Sequence, residues 1–432
     1  MSSKVGVSKL ENLDGSCDGC LTDDEYSLVA KVPLRKGDRI FAIDRKLMLS
    51  TETAAKDVDL YEFIKADSIA SGMQNVVLVL HLLNEYSKGE QSFWWPYLSI
   101  LPKKILPVFK LTKPILARYL LASSHIYEAL KLLRSIARQY AYFYQRLHST
   151  RLPLRKDFTF EYYAWGVSCV CSRQNEIPNS NIRMSSLDRE IPYQNAHALI
   201  PILDMCNHDA SSNQAIFLDD LSCLVAAKDL SVNDEIAINY GSQSRSSGEF
   251  YIHNGFVPSN HRHDVVPITI GLSKKNPLFE KKAKLLKILN MPTLGRFKLV
   301  ENNFENRHKR DPHLTMFLIV YSMSEPELDY TLDSPHPVGV ADEIYEFIHY
   351  KQQESSNSCG SSSDPKEANK LDEIKLRLAK KVEEYLCLRA SVTVSLIDRA
   401  LEETTKDKEN QDLHAIRLLQ CERNIFESYK KK

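Results

Sequence analysis

The chain has 432 residues, 43% of them hydrophobic, enough to fill substantial cores and, as a first expectation, two domains. Lysine plus arginine equals aspartate plus glutamate at 56 each, so no overall charge steers the molecule onto nucleic acid or an anionic membrane, and neither is expected as its main partner. The longest nearly unbroken apolar run, Val76 to Leu83, is far too short to span a bilayer, and the opening residues lack an apolar signal region, which makes an intracellular protein the expectation.

Residues 1–24 are polar and read as a loose N-terminus. Nine scattered cysteines suit a reducing compartment. Cys17 and Cys20 form the one close C-x-x-C pair, and with no second pair at matching spacing no metal site is expected. Tyr26 to Val32 and Asp38 to Ile43 read as two strands around Pro33-Leu-Arg-Lys-Gly37, where proline fixes one dihedral and glycine frees another. A similar phrase recurs at Leu224 to Tyr240, so two hairpins from distant parts of the chain are expected to build one β core. Between them, Asn75 to Glu85, Ser135 to His148 and Phe158 to Ser172 carry apolar residues at helical spacing, with Pro96, Pro102, Pro107 and Pro114 breaking the connections. Val265 to Leu272 alternates like a strand. From Asn276 onward the pattern is almost entirely helical, interrupted by the serine-rich stretch Ser355 to Asp364, which reads as a flexible loop.

Three stretches stand out chemically. Leu199-Ile-Pro-Ile-Leu-Asp-Met-Cys-Asn-His208 is a buried-strand pattern that breaks abruptly into polar groups. Glu235-Ile-Ala-Ile-Asn-Tyr-Gly241 ends a second strand on a tyrosine and a chain-releasing glycine, and Glu249-Phe-Tyr-Ile-His-Asn-Gly-Phe256 follows. In this order they resemble the SET-domain methyltransferases, in the branch that includes the Rubisco lysine methyltransferases and the actin-histidine N-methyltransferases. Asp204-Met-Cys-Asn-His208, Arg173-Gln-Asn-Glu-Ile-Pro178 and Ala137 to Tyr144 are most similar to the actin-histidine members.

That resemblance implies an α+β fold: a SET-domain β core over 25–260 with a pseudo-knot and a helical insertion at about 66–180, followed over 261–432 by an all-α, Rubisco-methyltransferase-like substrate-binding domain. It implies S-adenosyl-L-methionine as cofactor and a protein substrate, actin, modified on a histidine. It also implies a monomer in the cytoplasm, with the nucleus as a second location. The alternatives are a lysine methyltransferase of the same fold, or a weakly active or inactive SET scaffold that binds protein.

Residue by residue, the resemblance places Tyr240 as the catalytic tyrosine and Asn175 at the far nitrogen of the substrate imidazole. A side-chain amide offers both donor and acceptor and can therefore select a tautomer. Arg173 is implied at the amino-acid end of the cofactor, Asp204, Met205, Cys206, Asn207 and His208 around its adenosine, and Asn254, Gly255 and Phe256 on the remaining side. Leu203 and Arg245 are implied at the substrate pocket. Taken singly, Tyr240 reads equally as a strand-closing tyrosine, Asn175 as a loop asparagine bonded to local backbone, His208 as a turn histidine and Phe256 as core. Three departures distinguish this chain. Val29 replaces an arginine in a first turn that lacks the usual glycines, Leu203 replaces a tryptophan, and the Tyr240-to-Glu249 spacing is two residues longer.

Overall fold

The computed structural model describes residues 4–9, 26–110, 119–178, 195–217, 220–241, 245–259, 261, 264–303, 309, 311–350, 365–405 and 412–430. Cys17, Cys20, Pro114 and the stretch from Ser355 to Asp364 lie outside the described residues. The chain divides into two compact units. Met1–Ala117, Tyr127–Arg262 and Asp412–Ala415 make the first; Arg118–Ile126, His263–Gln411 and Ile416–Lys432 make the second.

In the first unit, strands β1 (Val5–Lys9) and β2 (Tyr26–Ala30) pair antiparallel with Gly6 opposite Val29. Residues 5–9, expected to be loose, are thus part of the β core, and buried Val5 anchors them. Strand β3 (Arg39–Asp44) does not fold back on β2 as a hairpin. A second sheet instead runs β3, β8 (Leu221–Val225), β7 (His208–Phe217), and a third runs β4 (Leu49–Ser50), β6 (Asn195–Leu199), β5 (Asn175–Pro178). The two turn phrases seen in the sequence pair with each other. Leu34 and Leu230 exchange backbone hydrogen bonds of 2.9 and 2.8 Å, and Gly37, at φ 90°, donates to the Ala226 carbonyl at 2.8 Å. Alternation of side chains identifies a strand, but its partner is set by long-range packing.

Residues 234–238 thread between these layers. The amide of Ala30 donates to the Asp234 carbonyl at 2.9 Å and that of Ile236 to Leu28 at 2.7 Å. The next alternate amide, Ile238, donates to the Asn207 carbonyl at 2.9 Å. One late segment is therefore bonded both to the first strands and to the polar turn, which is the pseudo-knotted arrangement. Leu28, Ala30, Ile40, Ile177, Ala198, Ile200, Leu203, Cys206, Leu224 and Ile236 form the apolar centre beneath it.

The helices of this unit are α1 (Val58–Ala66), α2 (Ser68–Gly72), α3 (Gln74–Ser87), α4 (Trp95–Leu98), α5 (Ile126–Leu147), α6 (Phe160–Arg173) and α7 (Ser247–Asn254). Helix α3 is buried along Val76 to Glu85, which explains its nearly unbroken apolar run. Its one imidazole, His81, bonds the Ser50 carbonyl through Nδ1 at 3.1 Å, and burial pulls its pKa down to about 4, so it sits neutral. Helices α3 and α6 approach closely at Gly166, where a Cβ would stand 2.7 Å from Leu83 Cδ2. Helix α6 starts on a Thr159 cap that accepts from the Tyr162 amide, and its axis aims Arg173 at the polar turn.

The second unit differs from the all-helical expectation by a two-stranded antiparallel sheet, β9 (Val265–Gly271) with β10 (Leu294–Val300), in register from Val265↔Val300 to Gly271↔Leu294. Helices α8 (Phe279–Ile288), α9 (Pro312–Ser322), α10 (Glu325–Leu332), α11 (Pro337–Tyr350) and the 41-residue α12 (Pro365–Thr405) supply the rest. A last helix, α13, covers Leu413–Glu427. Among the described residues no helix is long and apolar enough to cross a membrane.

Candidate active site

The polar turn is built under strain. Strand β6 ends at Leu199, and the chain reverses through Ile202 at φ 72°, ψ −48°, before a single 3-10 turn over Leu203–Met205. A β-branched residue rarely adopts positive φ, and one held there costs about 1–3 kcal/mol. The reversal is fixed by Asp204 N–H donating to Ile200 O at 3.1 Å and Met205 N–H to Ile202 O at 3.2 Å. It turns Asp204 inward and delivers Asn207 and His208 to the start of β7.

Asp204 is buried and meets two elements. Its Oδ2 accepts the Tyr97 hydroxyl from α4, and Arg173 Nη1 donates to its backbone carbonyl at 2.6 Å while lying 3.9 Å from Oδ2. Burial is the largest influence on this carboxyl and pushes its pKa up to about 6, against the opposing pull of Arg173 and the tyrosine hydrogen bond. Tyr97 is raised well above its ordinary value, by burial first and the neighbouring carboxylate second, so its hydroxyl remains a donor.

Tyr240 ends the threaded segment and donates its hydroxyl to the Cys206 carbonyl at 2.5 Å. Burial raises its pKa, so it stays a neutral phenol. His208 Nδ1 lies 3.2 Å from the Tyr240 amide, which donates to it, and 3.4 Å from the Ile238 carbonyl; burial lowers the pKa of this ring. His208 stacks on Phe250 with centroids 5.0 Å apart, and Tyr240, Phe250 and Phe256 complete an aromatic wall. Phe250 and Phe256 are held by α7, which opens on a Ser246/Glu249 capping box and closes at Gly255, φ 83°, a left-handed position that suits glycine. The Arg245 guanidinium lies 5.3 Å above the Phe250 ring centroid, and burial lowers its pKa. Asn254 Nδ2 donates to the Ser172 carbonyl at 3.3 Å, beside Arg173.

The structure thus brings Arg173, Asp204, Cys206, Asn207, His208, Tyr240, Asn254, Gly255 and Phe256 into one region of the first unit, with Met205 partly buried in the same turn. Asn175 follows Arg173 at the head of β5, and its Nδ2 donates to the Arg173 carbonyl at 3.1 Å, leaving Oδ1 as an acceptor. Asn207 Nδ2 donates to Glu235 Oε1 at 2.8 Å. Leu203 is placed differently from the sequence expectation. It has no exposed surface and belongs to the apolar core, so it forms the floor under the turn and presents no wall to solvent. Val29 is likewise core, paired with Gly6 and bridged to Glu235. Tyr97 and Phe250 were not singled out by sequence. Tyr97 lies 107 residues from its partner Asp204, and an aromatic in a proline-started turn gives no signal of such a pairing.

Whether these residues suit S-adenosylmethionine, the cofactor the resemblance implies, is tested by their unmet hydrogen-bonding capacity. Arg173 Nε is a buried donor without a partner, and Asp204 Oδ1 and Asn254 Oδ1 are buried acceptors without one. Orphaned buried polar atoms are destabilising by about 1–3 kcal/mol each and are rare without a reason. A carboxylate and an ammonium on one small molecule satisfy both kinds, and the flat aromatic wall offers a face for a base. The donor set fits.

Comparison with known proteins agrees with this geometry. The chain is 36% identical over 338 residues to an actin-histidine N-methyltransferase of Danio rerio, covering 75% of this chain and 53% of that protein. It is 34% identical over 317 residues to an actin-histidine N-methyltransferase of Homo sapiens, covering 71% and 49%. The chain therefore spans about half the length of the curated relatives it matches. In fold it is similar to the crystal structure of the SET domain of LSMT bound to lysine and AdoHcy, with a TM-score of 0.68 at 15% identity over 99% of this chain and 86% of that one. The structure of Rubisco LSMT bound to AdoMet gives 0.65 at the same identity and coverage. The SET domain model matches residues 25–241, the span that holds the threaded segment, the strained turn and Tyr240, and the chain belongs to the SET-domain family.

Proposed function

We propose that this chain is an S-adenosylmethionine-dependent protein methyltransferase that modifies a histidine side chain of actin. The observation that carries the reading is the juxtaposition of an unsatisfied donor and unsatisfied acceptors at Arg173, Asp204 and Asn254 with the neutral phenol of Tyr240 and the acceptor Oδ1 of Asn175. The specific substrate rests on the similarity to the actin-histidine enzymes.

When bound, the cofactor supplies a methyl group on a sulfonium centre. The protein's share is alignment: an acceptor nitrogen has to stand in line with that methyl at about 3–3.5 Å. Asn175 Oδ1 can accept the N–H of an imidazole at its far nitrogen and so leave the near nitrogen with its lone pair exposed. Tyr240 and the carbonyl it bonds form a polar collar beside the reacting atoms. The aromatic wall excludes water from it. An imidazole is largely neutral near pH 7 and can attack without prior loss of a proton, whereas a lysine with pKa about 10.4 has to lose a proton first.

The experiment is isotope transfer from labelled cofactor to intact actin, to a short actin peptide carrying the acceptor histidine and to the same peptide carrying lysine there, with the product residue read by mass spectrometry. Label on histidine that falls in Asn175→Ala supports the reading. Label on lysine alone overturns it in favour of a lysine methyltransferase, and cofactor binding without transfer favours a protein-binding scaffold.

A further inference from the structure

Residues 126–156 carry seven cations, Lys131, Arg134, Arg138, Arg146, Arg151, Arg155 and Lys156, against a single carboxylate, Glu128, in a chain whose formal charge as a whole is zero. All seven are exposed. Arg146 is paired with Asp67 at 3.0 Å and Arg155 bonds the Thr150 carbonyl, but Lys131, Arg134 and Arg138 on α5 form no ion pair among the described residues. At 100° and 1.5 Å per residue these three fall within about 60° of arc and span about 10 Å of helix. The opposite face of α5, Ala129, Ile136, Phe143 and Leu147, is buried. Three like charges aligned on one face repel one another, so the arrangement is stabilised by an external anion.

We infer that the Lys131–Arg134–Arg138 ladder is a docking surface for an acidic segment of the protein that presents the methyl acceptor. The inference rests on the proposed function. A bilayer is disfavoured because the buried face of α5 is committed to the core and its exposed apolar side chains, Tyr127, Leu130 and Tyr144, are too few to anchor an interfacial helix. Nucleic acid is disfavoured because the three unpaired cations of the ladder would neutralise few phosphates, and the rest of this chain carries a compensating excess of carboxylates. An extended acidic peptide matches in scale. Its same-side carboxylates recur about every 6.6 Å, while the rungs of the ladder are separated by about 4.5 and 6 Å along the helix.

The surface is remote from the chemistry. Helix α5 meets α6 where Tyr163 donates to Gln139 Oε1 at 3.0 Å, and ten further residues of α6, about 15 Å, lead to Arg173. A contact at that distance binds ground state and transition state alike, so its loss raises KM and leaves kcat unchanged. A short peptide holding only the acceptor residue does not reach it.

The test is the charge-reversed variant Lys131→Glu/Arg134→Glu/Arg138→Glu, whose new side chains are good helix formers on an exposed face. Methyl transfer is measured as a function of concentration for intact actin and for the short histidine peptide, at 50 and 200 mM salt, and binding of fluorescent decaglutamate is followed by anisotropy. The expected result is a KM for intact actin raised about tenfold at low salt with kcat and the peptide's kinetics unchanged, and decaglutamate binding lost. Unchanged KM for intact actin overturns the inference and leaves the methyltransferase reading standing. So does an equal loss with protein and peptide, which signals a structural role. Binding of an RNA oligomer or phosphatidylserine vesicles through the ladder, with no binding of decaglutamate, overturns it in favour of those partners. If the unmutated protein methylates neither acceptor, the methyltransferase reading falls and the docking inference with it.

Discussion

Replacing Asp204 by asparagine isolates the electrostatics of the strained turn. In the folded protein burial holds this carboxyl at about 6, against 3.8 for an ordinary aspartate. At 1.36 kcal/mol per pH unit the difference corresponds to about 3 kcal/mol. The folded state binds the proton more tightly than the unfolded chain does. The favourable contribution is therefore fully present below about pH 4 and is lost as the pH rises through 6. At neutral pH the ionised Asp204 weakens the fold while it holds Arg173 through its carbonyl at 2.6 Å and its nearby carboxylate. The asparagine variant keeps the Tyr97 contact and has no charge to bury. Whatever it loses beside Arg173 is constant with pH, because a guanidinium does not titrate in this range. Urea unfolding at pH 4, 5.5 and 7 reads the difference. Tryptophan fluorescence reports the first unit alone, since the chain's three tryptophans, Trp94, Trp95 and Trp165, all lie there. His81, held neutral near 4, titrates in both proteins and cancels. The unmutated protein is expected to lose about 2 kcal/mol relative to Asp204→Asn between pH 4 and 7, slightly less than the full shift because pH 4 already lies above the unfolded pKa. Parallel stability curves would show that Asp204 is not a buried acid of raised pKa.

Tyr240→Phe deletes the hydroxyl bonded to the Cys206 carbonyl, and methyl transfer should fall about 100-fold with cofactor affinity, followed by calorimetry, changed much less. Ile202→Gly relieves a positive φ while losing a partly buried side chain, so its net cost in unfolding experiments should stay within about 1 kcal/mol, whereas Ile200→Gly, fully buried, should cost more than about 3 kcal/mol. Leu203→Trp forces a much larger side chain into the apolar core and should destabilise by about 1–3 kcal/mol; a variant of unchanged stability with a raised histidine-to-lysine ratio would show that this position opens to the substrate after all.

The turn from Leu203 to His208 was legible because its chemistry is abrupt: an apolar run ending in five polar or polarizable groups has few uses in a core. Helices α3 and α6 were legible for the opposite reason, since long periodic apolar patterns leave little choice. Strand pairing was not. Gly6 opposite Val29 and Leu34 opposite Leu230 are decided by what the sheets bury together, and no local pattern encodes a partner two hundred residues away. Strand β10 carries the alternation Phe297 and Leu299 in, Arg296 and Lys298 out, but it is short and has Gly295 at one inward position, so helical surroundings mask it. The burial of Leu203 was not legible either, because the motif fixes where the residue stands in the turn and the surrounding packing fixes how deeply it is covered.

Several departures from local consistency meet around one turn of the first unit. Within the short stretch from Ile202 to Asp204 a β-branched residue occupies a left-handed conformation and a carboxyl is buried against its own ionisation; the neighbouring Arg173 and Asn254 keep polar atoms unsatisfied. Each costs the fold something, and none is needed to pack the sheets, because Ile200 and Cys206 on either side are ordinary core. Sequences that fold well agree with themselves at every level except where function demands otherwise. Strain, a buried acid and orphaned donors and acceptors are three different physical penalties, and a single bound zwitterion with a flat base offsets the polar ones while the turn's geometry holds it. That coincidence argues for a ligand site more strongly than any one of the residues does, and it is the reason to expect that cofactor binding will stabilise the first unit well beyond what its contact area alone implies.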